Sequence, residues 1–210
     1  MVYIQASSST LKEATTHLTS HDTILAKVIA LHGNCTLEPH TQHYRELVES
    51  IISQQLSVKA AASITKRFVE LFGGTFPLPE VILAKSIEEL RTAGLSQAKA
   101  SYIQDLAWHV SNNKLSFARF QTLSNEEIIS ELTAVKGIGE WTAQMFLIFS
   151  MGRLNVLPVG DLGIKNGIMR LYRLQTLPTP TEVRDISHAN NWQPYESVAS
   201  WYIWKSLDNS

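Results

Sequence analysis

The chain has 210 residues, with 18 Lys plus Arg against 19 Asp plus Glu and a formal net charge of −1. Apolar residues make up 44% and charged residues 18%, which excludes a disordered chain, since disorder needs low hydrophobicity and high net charge. The neutral balance also excludes a polybasic-tail DNA binder, so any attraction to nucleic acid has to come from locally placed basic groups and backbone amides. Cys35 is the one cysteine, which rules out a disulfide framework, a four-cysteine iron–sulfur cluster and a Cys-based zinc site. A reducing compartment suits that usage. No apolar run approaches the ~20 residues that span a bilayer, and Met1–Ser7 lacks the regions of a secretory signal. The expected location is the nucleus in a eukaryote and otherwise the cytoplasm. A single domain over 1–210 is long enough to bury a full core.

In chain order, Glu46–Ser53 carries Leu47, Ile51 and Ile52 at helical spacing, and Ala60–Phe72 continues with Ile64, Phe68 and Leu71 on one face before Gly73-Gly74. Ser86-Ile87-Glu88-Glu89 and Ser124-Asn125-Glu126-Glu127 read as capping boxes, a hydroxyl N-cap with Glu three residues on. Between them, Gly94 reads as a stop, and Ser96–Val110 as an amphipathic helix with Ile103, Leu106 and Val110 inward. Ile128–Leu132 precedes the hairpin segment Val135–Gly139. Trp141–Met151 is apolar enough to predict a central buried helix. Leu162–Leu174 and Pro194–Leu207 complete the set, with Leu177–Thr181 a stiff loop leading into a helix. No stretch alternates with period 2. The expectation is an all-α bundle of about ten short helices in two packed subdomains.

Two segments stand out chemically. Val135-Lys136-Gly137-Ile138-Gly139 joins two helical patterns, and two glycines around one aliphatic residue permit a tight hairpin that brings backbone close to a ligand. Amides at the second helix's N-terminus then face outward, where a phosphate can accept them; an ordinary helix–helix turn is the alternative. Some twenty residues on, Leu157-Pro158-Val159-Gly160-Asp161 leads into Leu162-Gly163-Ile164-Lys165. Taken alone, Asp161 is a good N-cap for the helix that follows.

Taken together, these segments resemble the helix-hairpin-helix DNA glycosylases with a Gly/Pro-rich loop and Asp, and most of all their alkyl-base (3-methyladenine) branch. The resemblance runs from about Tyr44 to Lys205. It rests on Ile51–Ser57, Leu132–Ala143, Pro158–Lys165 and Trp192–Ala199, with the hairpin at 128–151 and the Asp loop at 157–165. It implies that Asp161 is the catalytic carboxylate, stabilising the positive charge that builds on deoxyribose as the glycosidic bond breaks, after the base has left the stack. It implies a base pocket at Trp141, Tyr195 and Met145, where aromatic faces hold a cationic purine at ~1–2 kcal/mol per ring; Tyr195 is otherwise a core aromatic. Bifunctional relatives carry a Lys at the Trp141 position for a Schiff base, so Trp141 implies a monofunctional hydrolase.

The same resemblance assigns the DNA wedge to Gln55 and Leu56, with Ser57 beside them at the minor groove. It assigns the DNA backbone grip to Lys136, Gly137, Ile138, Gly139 and Lys165; either lysine reads equally as a solvated surface charge. Backbone carbonyls of Thr133, Val135 and Ile138 are implied ligands of a structural Na⁺ or K⁺ ion, and no cofactor is required. The implied partner of this monomer is double-stranded DNA containing alkylated bases or abasic sites, with no membrane. Two positions depart from the pattern: Met145 stands where some members place Tyr, and Glu196 where Arg is common. They motivate an alternative, a catalytically weak homologue that binds abasic or distorted DNA without excising bases.

Overall fold

The computed structural model describes residues 4–208. Among these the chain forms α1 (Ser8–His21), α2 (Thr23–His32), α3 (His43–Ser53), α4 (Val58–Leu71), α5 (Pro79–Leu83), α6 (Ile87–Arg91), α7 (Gln97–Ser111), α8 (Asn125–Thr133), α9 (Glu140–Met145), α10 (Leu162–Leu171), α11 (Pro180–Ala189) and α12 (Glu196–Lys205). The β pairing among them is an isolated bridge between Gln5 and Arg153. The fold is all-α as expected, with twelve α-helices in place of about ten. No helix of the described residues is long and apolar enough to cross a membrane.

The described residues divide into two compact units. The unit Gln42–Ala143 is organised by α3 and α7. Leu47, Val48, Ile51 and Ile52 recur at helical spacing on α3 and are buried. At roughly 1.5–3 kcal/mol per buried aliphatic side chain, this stripe holds α3 more than helix propensity does. α7 packs against α3, α5 and α6 through Ala100, Ile103, Leu106 and Ala107; Val110, expected inward, is half-buried. The capping boxes at Ser86/Glu89 and Ser124/Glu127 both form. Gly94, three residues beyond α6, has φ +95°.

The other unit takes the described residues up to Thr41 and those from Gln144 onward. Here α12 packs on α1, α2 and α10. Its buried Asp22 N-caps α2 through the N–H groups of Ile24 and Leu25, both at 2.9 Å, and also accepts from the Trp192 indole at 2.8 Å and the Tyr172 hydroxyl. A carboxylate with this many donors can stay buried without a cation.

Three helices depart from expectation. The apolar run Trp141–Met151 is not one buried helix. α9 ends at Met145, and Phe146–Ser150 is a π-helical turn closed by the Met151 N–H on the Phe146 carbonyl at 3.0 Å. Trp141 is 53% and Phe149 38% exposed, because a run that is apolar all round carries no information about which face the core takes. α10 ends at Leu171, with Arg173 in the left-handed region at φ +57°. α12 begins at Glu196, since Tyr195 is its N-cap residue.

Candidate active site

α8 hands over to the hairpin through two tight backbone bonds, Val135 N–H to Leu132 O and Ile138 N–H to Val135 O, each 3.1 Å. Val135 and Ile138 are buried, so toward a ligand they offer backbone alone. The two glycines do different work. Gly137 sits at φ +83°, and a Cβ there would lie 2.5 Å from Tyr102 Cγ on α7. Gly139 has open space where a Cβ would go. Gly137 therefore serves the fold, and Gly139 is the one free to meet a ligand closely. The Lys136 N–H donates to Asp105 Oδ2 at 2.8 Å, while its side chain is 72% exposed with Nζ 3.9 Å from Asp105 Oδ1. Thr133 Oγ1 donates back to Ile129 O at 2.7 Å, which leaves its contribution to any ion to the main chain.

The α3–α4 turn carries Gln55, Leu56 and Ser57, all exposed. Gln55 occupies the left-handed region at φ +57°, unusual for a residue with a Cβ. The turn closes by Leu56 N–H to Ser53 O at 3.1 Å. Ser57 Oγ accepts the Ala60 N–H at 3.3 Å and so N-caps α4. Gln54, absent from the expected site, donates its side-chain amide to Gly137 O at 2.8 Å. The residue just before the expected wedge is thus hydrogen-bonded to the hairpin within the Gln42–Ala143 unit.

In the other unit, Ser197 on α12 fixes the chain leading to the Asp loop. Its N–H donates to Leu154 O at 2.9 Å, and its Oγ donates to Arg153 O at 2.7 Å and accepts the Val156 N–H at 3.0 Å. The loop turns through Asp161 N–H to Pro158 O at 2.9 Å. Asp161 then N-caps α10, Oδ1 accepting the Ile164 N–H at 2.7 Å. The same oxygen accepts the Trp204 indole N–H at 2.9 Å. Small residues permit this approach: a Cβ on Gly163 would lie 3.0 Å from Trp204 Cδ1, and one on Gly167 3.1 Å from Ile203 O. Lys165 is half-buried in the first turn of α10.

The aromatic beside the carboxylate is therefore Trp204, whose ring also packs against Phe149 at 5.7 Å between centroids. Tyr195 lies nine residues earlier, about 13 Å along α12 at 1.5 Å per residue, and its ring meets His17 of α1 at 5.2 Å. Trp204 escaped the sequence reading because it is 43 residues from Asp161; the Gly163/Gly167 pair at i, i+4 is the signal that two helices approach there. Met145 is half-buried at the end of α9. Glu196 lies in the first turn of α12 and lines a cavity of about 440 Å³ with Leu157, Arg184 and His188. Its Oε2 is buried with no hydrogen-bond partner, and burial raises its pKa above the ordinary 4.5.

The family profile described as "HhH-GPD superfamily base excision DNA repair protein" matches residues 48–192. The "DNA-3-methyladenine glycosylase 1" of Schizosaccharomyces pombe is 36% identical over 203 residues, covering 94% of this chain and 88% of that protein. Among solved structures, the S. pombe 3-methyladenine DNA glycosylase in complex with abasic DNA superposes with a TM-score of 0.81 at 36% identity, over 93% of this chain and 97% of that one. A DNA-3-methyladenine glycosidase from Bacillus halodurans gives a TM-score of 0.84 at 38% identity, over 98% and 92% of the two chains.

Proposed function

The chain belongs to the HhH-GPD superfamily of base excision DNA repair proteins, and on that premise we propose that it is a monofunctional DNA glycosylase releasing alkylated purines of the 3-methyladenine type. The observation that carries this reading is Asp161, a carboxylate at a helix N-terminus with Oδ1 held from two sides by the Ile164 N–H and the Trp204 indole. Two donors on one oxygen hold the carboxylate in one orientation. A fixed anion beneath deoxyribose stabilises the oxocarbenium-like charge that grows as the N-glycosidic bond lengthens, and it orients the water that attacks the sugar carbon. The cationic purine is a ready leaving group, so no strong general acid is required.

The base reaches such a site only after leaving the duplex. Leu56 is the apolar side chain available to fill the vacated stack, Gln55 the polar one. Outward amides of the hairpin and Lys136 hold phosphates, which adds salt-dependent affinity without base information. Trp204 and Phe149 offer aromatic surface beside the carboxylate, and Trp141 a further exposed ring. Trp141 cannot form a Schiff base, so the strand stays unbroken after excision.

A Na⁺ or K⁺ ion fits the hairpin by donor chemistry: the carbonyls of Thr133, Val135 and Ile138 are hard oxygen donors, and that of Val135 keeps a lone pair beyond its bond to the Ile138 N–H. When bound, the ion supplies positive charge toward a phosphate. The protein acts as a monomer on double-stranded DNA containing alkylated bases or abasic sites. The test is release of 3-methyladenine from methylated DNA by wild type and Asp161→Asn. Asn caps a helix as well as Asp, so the variant should keep its fold and its affinity for an abasic duplex within a few-fold, while base release falls at least ~100-fold. Undiminished release would refute the assignment.

A further inference from the structure

We infer that α7 is a brace holding the wedge turn and the hairpin at one spacing, and that its Lys99 is a positioning residue for base flipping; the inference rests on the wedge reading proposed above. Three α7 residues reach the two loops. Lys99 Nζ donates to Ile52 O at 2.8 Å and to Gln54 O at 2.7 Å, at the C-terminal end of α3. Tyr102 lies against the Gly137 backbone so closely that a Cβ there would be 2.5 Å from Cγ. Asp105 accepts the Lys136 N–H at 2.8 Å.

Lys99 and Asp105 lie six residues apart, about 9 Å along the helix axis. α7 itself is anchored by four buried side chains, Ala100, Ile103, Leu106 and Ala107. A rigid strut thus ends on the wedge turn at one side and on the hairpin at the other. The Gln54 amide on Gly137 O ties the two loops directly as well.

The Lys99 contact is a cation on the last carbonyls of a helix, where an ammonium is favoured by both the unpaired C=O groups and the macrodipole. Immediately beyond those carbonyls comes Gln55, in the left-handed conformation at φ +57°. A strained turn persists only when its surroundings over-determine it, and Lys99 supplies that constraint from outside the turn. Without it, the wedge relaxes against a hairpin that still grips phosphate. Affinity for undamaged duplex then survives, while insertion into the stack suffers.

Lys99→Met keeps the stem and removes the donor. The measurements are excision rate, affinity for abasic and undamaged duplexes, thermal stability, and the same set in a Leu56→Ala background. The expected result is a loss of about ten-fold in excision and in preference for abasic over undamaged duplex, with undamaged-duplex affinity within two-fold. In the Leu56→Ala background Lys99→Met should add less than two-fold, because both act through one wedge. Gln54→Ala should shift the same ratio in the same direction, and serves if Lys99→Met folds poorly. The brace is overturned if Lys99→Met lowers thermal stability alone with the ratio intact, or if its effect multiplies with that of Leu56→Ala. If Leu56→Ala by itself changes neither excision nor abasic preference, the wedge reading fails first, and the positioning role of Lys99 with it.

Discussion

In the Gln42–Ala143 unit the hairpin presents a ligand with little but main chain: Val135 and Ile138 are buried, Gly137 is pressed on Tyr102, and only Lys136 extends an exposed charge. In the other unit the loop ending at Asp161 presents one carboxylate, clamped by the first turn of α10 and by Trp204 of α12. On the proposed reading, the first arrangement would meet phosphate through backbone and one lysine, contacts that are indifferent to base identity. The second concentrates its chemistry in a single oriented group. Changes to the hairpin should therefore alter affinity for any duplex, and changes around the carboxylate should alter rate at nearly constant affinity.

Several substitutions sharpen that contrast. Next in size to the loss from Asp161→Asn is Gly137→Ala. It forces a Cβ into Tyr102 at a left-handed φ, and should lower stability by ~2–4 kcal/mol in denaturant titration, with DNA affinity falling as the hairpin distorts. Trp204→Phe keeps the ring and removes the indole donor to Asp161. It should slow excision about ten-fold, the worth of one hydrogen bond to a charged group, with abasic-duplex affinity unchanged. Tyr195→Phe, at the other end of α12, should leave the rate within about two-fold, since its ring meets His17; an equal loss from both would break the contrast. Smaller still, Lys136→Ala should weaken damaged and undamaged duplexes alike and reduce the slope of log affinity against log salt by about one. Gly139→Ala, with open space around it, should weaken both duplexes without lowering thermal stability.

The smallest effect belongs to Glu196. Burial holds its carboxyl above the ordinary 4.5, so the folded chain binds that proton more tightly than the unfolded one. The resulting stability is present below the ordinary value and lost as pH rises through the folded value. Glu196→Gln should remove that loss, raising the melting temperature at neutral pH by ~1–2 °C and changing nothing at pH values below the ordinary pKa.

Much of the fold was legible because its signals are local. Ser86/Glu89 and Ser124/Glu127 declare helix starts within four residues, and Leu47, Ile51 and Ile52 declare a buried face within six. α1 was not legible: Leu11, Ala14 and Leu18 have the right spacing and are buried, yet they sit among Thr, Ser and His residues that dilute the pattern. The exposure of Trp141 was hidden by the uniform apolarity of its run. At the site, Asp161 and the hairpin glycines were legible as punctuation in the sequence. Trp204, Gln54 and Lys99 were not, because each acts through a partner 43 to 83 residues away, and such contacts leave no spacing to read.

Hydrolysis of the glycosidic bond without strand cleavage can be read from one methylated duplex and the wild-type protein. Released bases are identified by mass, and the strand is sized before and after alkali. The prediction is free 3-methyladenine together with a strand that stays full-length until alkali breaks it at the abasic site. Tight binding to an abasic duplex with no base released would contradict that hydrolysis in favour of a binding protein, and a strand already nicked before alkali would contradict the monofunctional chemistry.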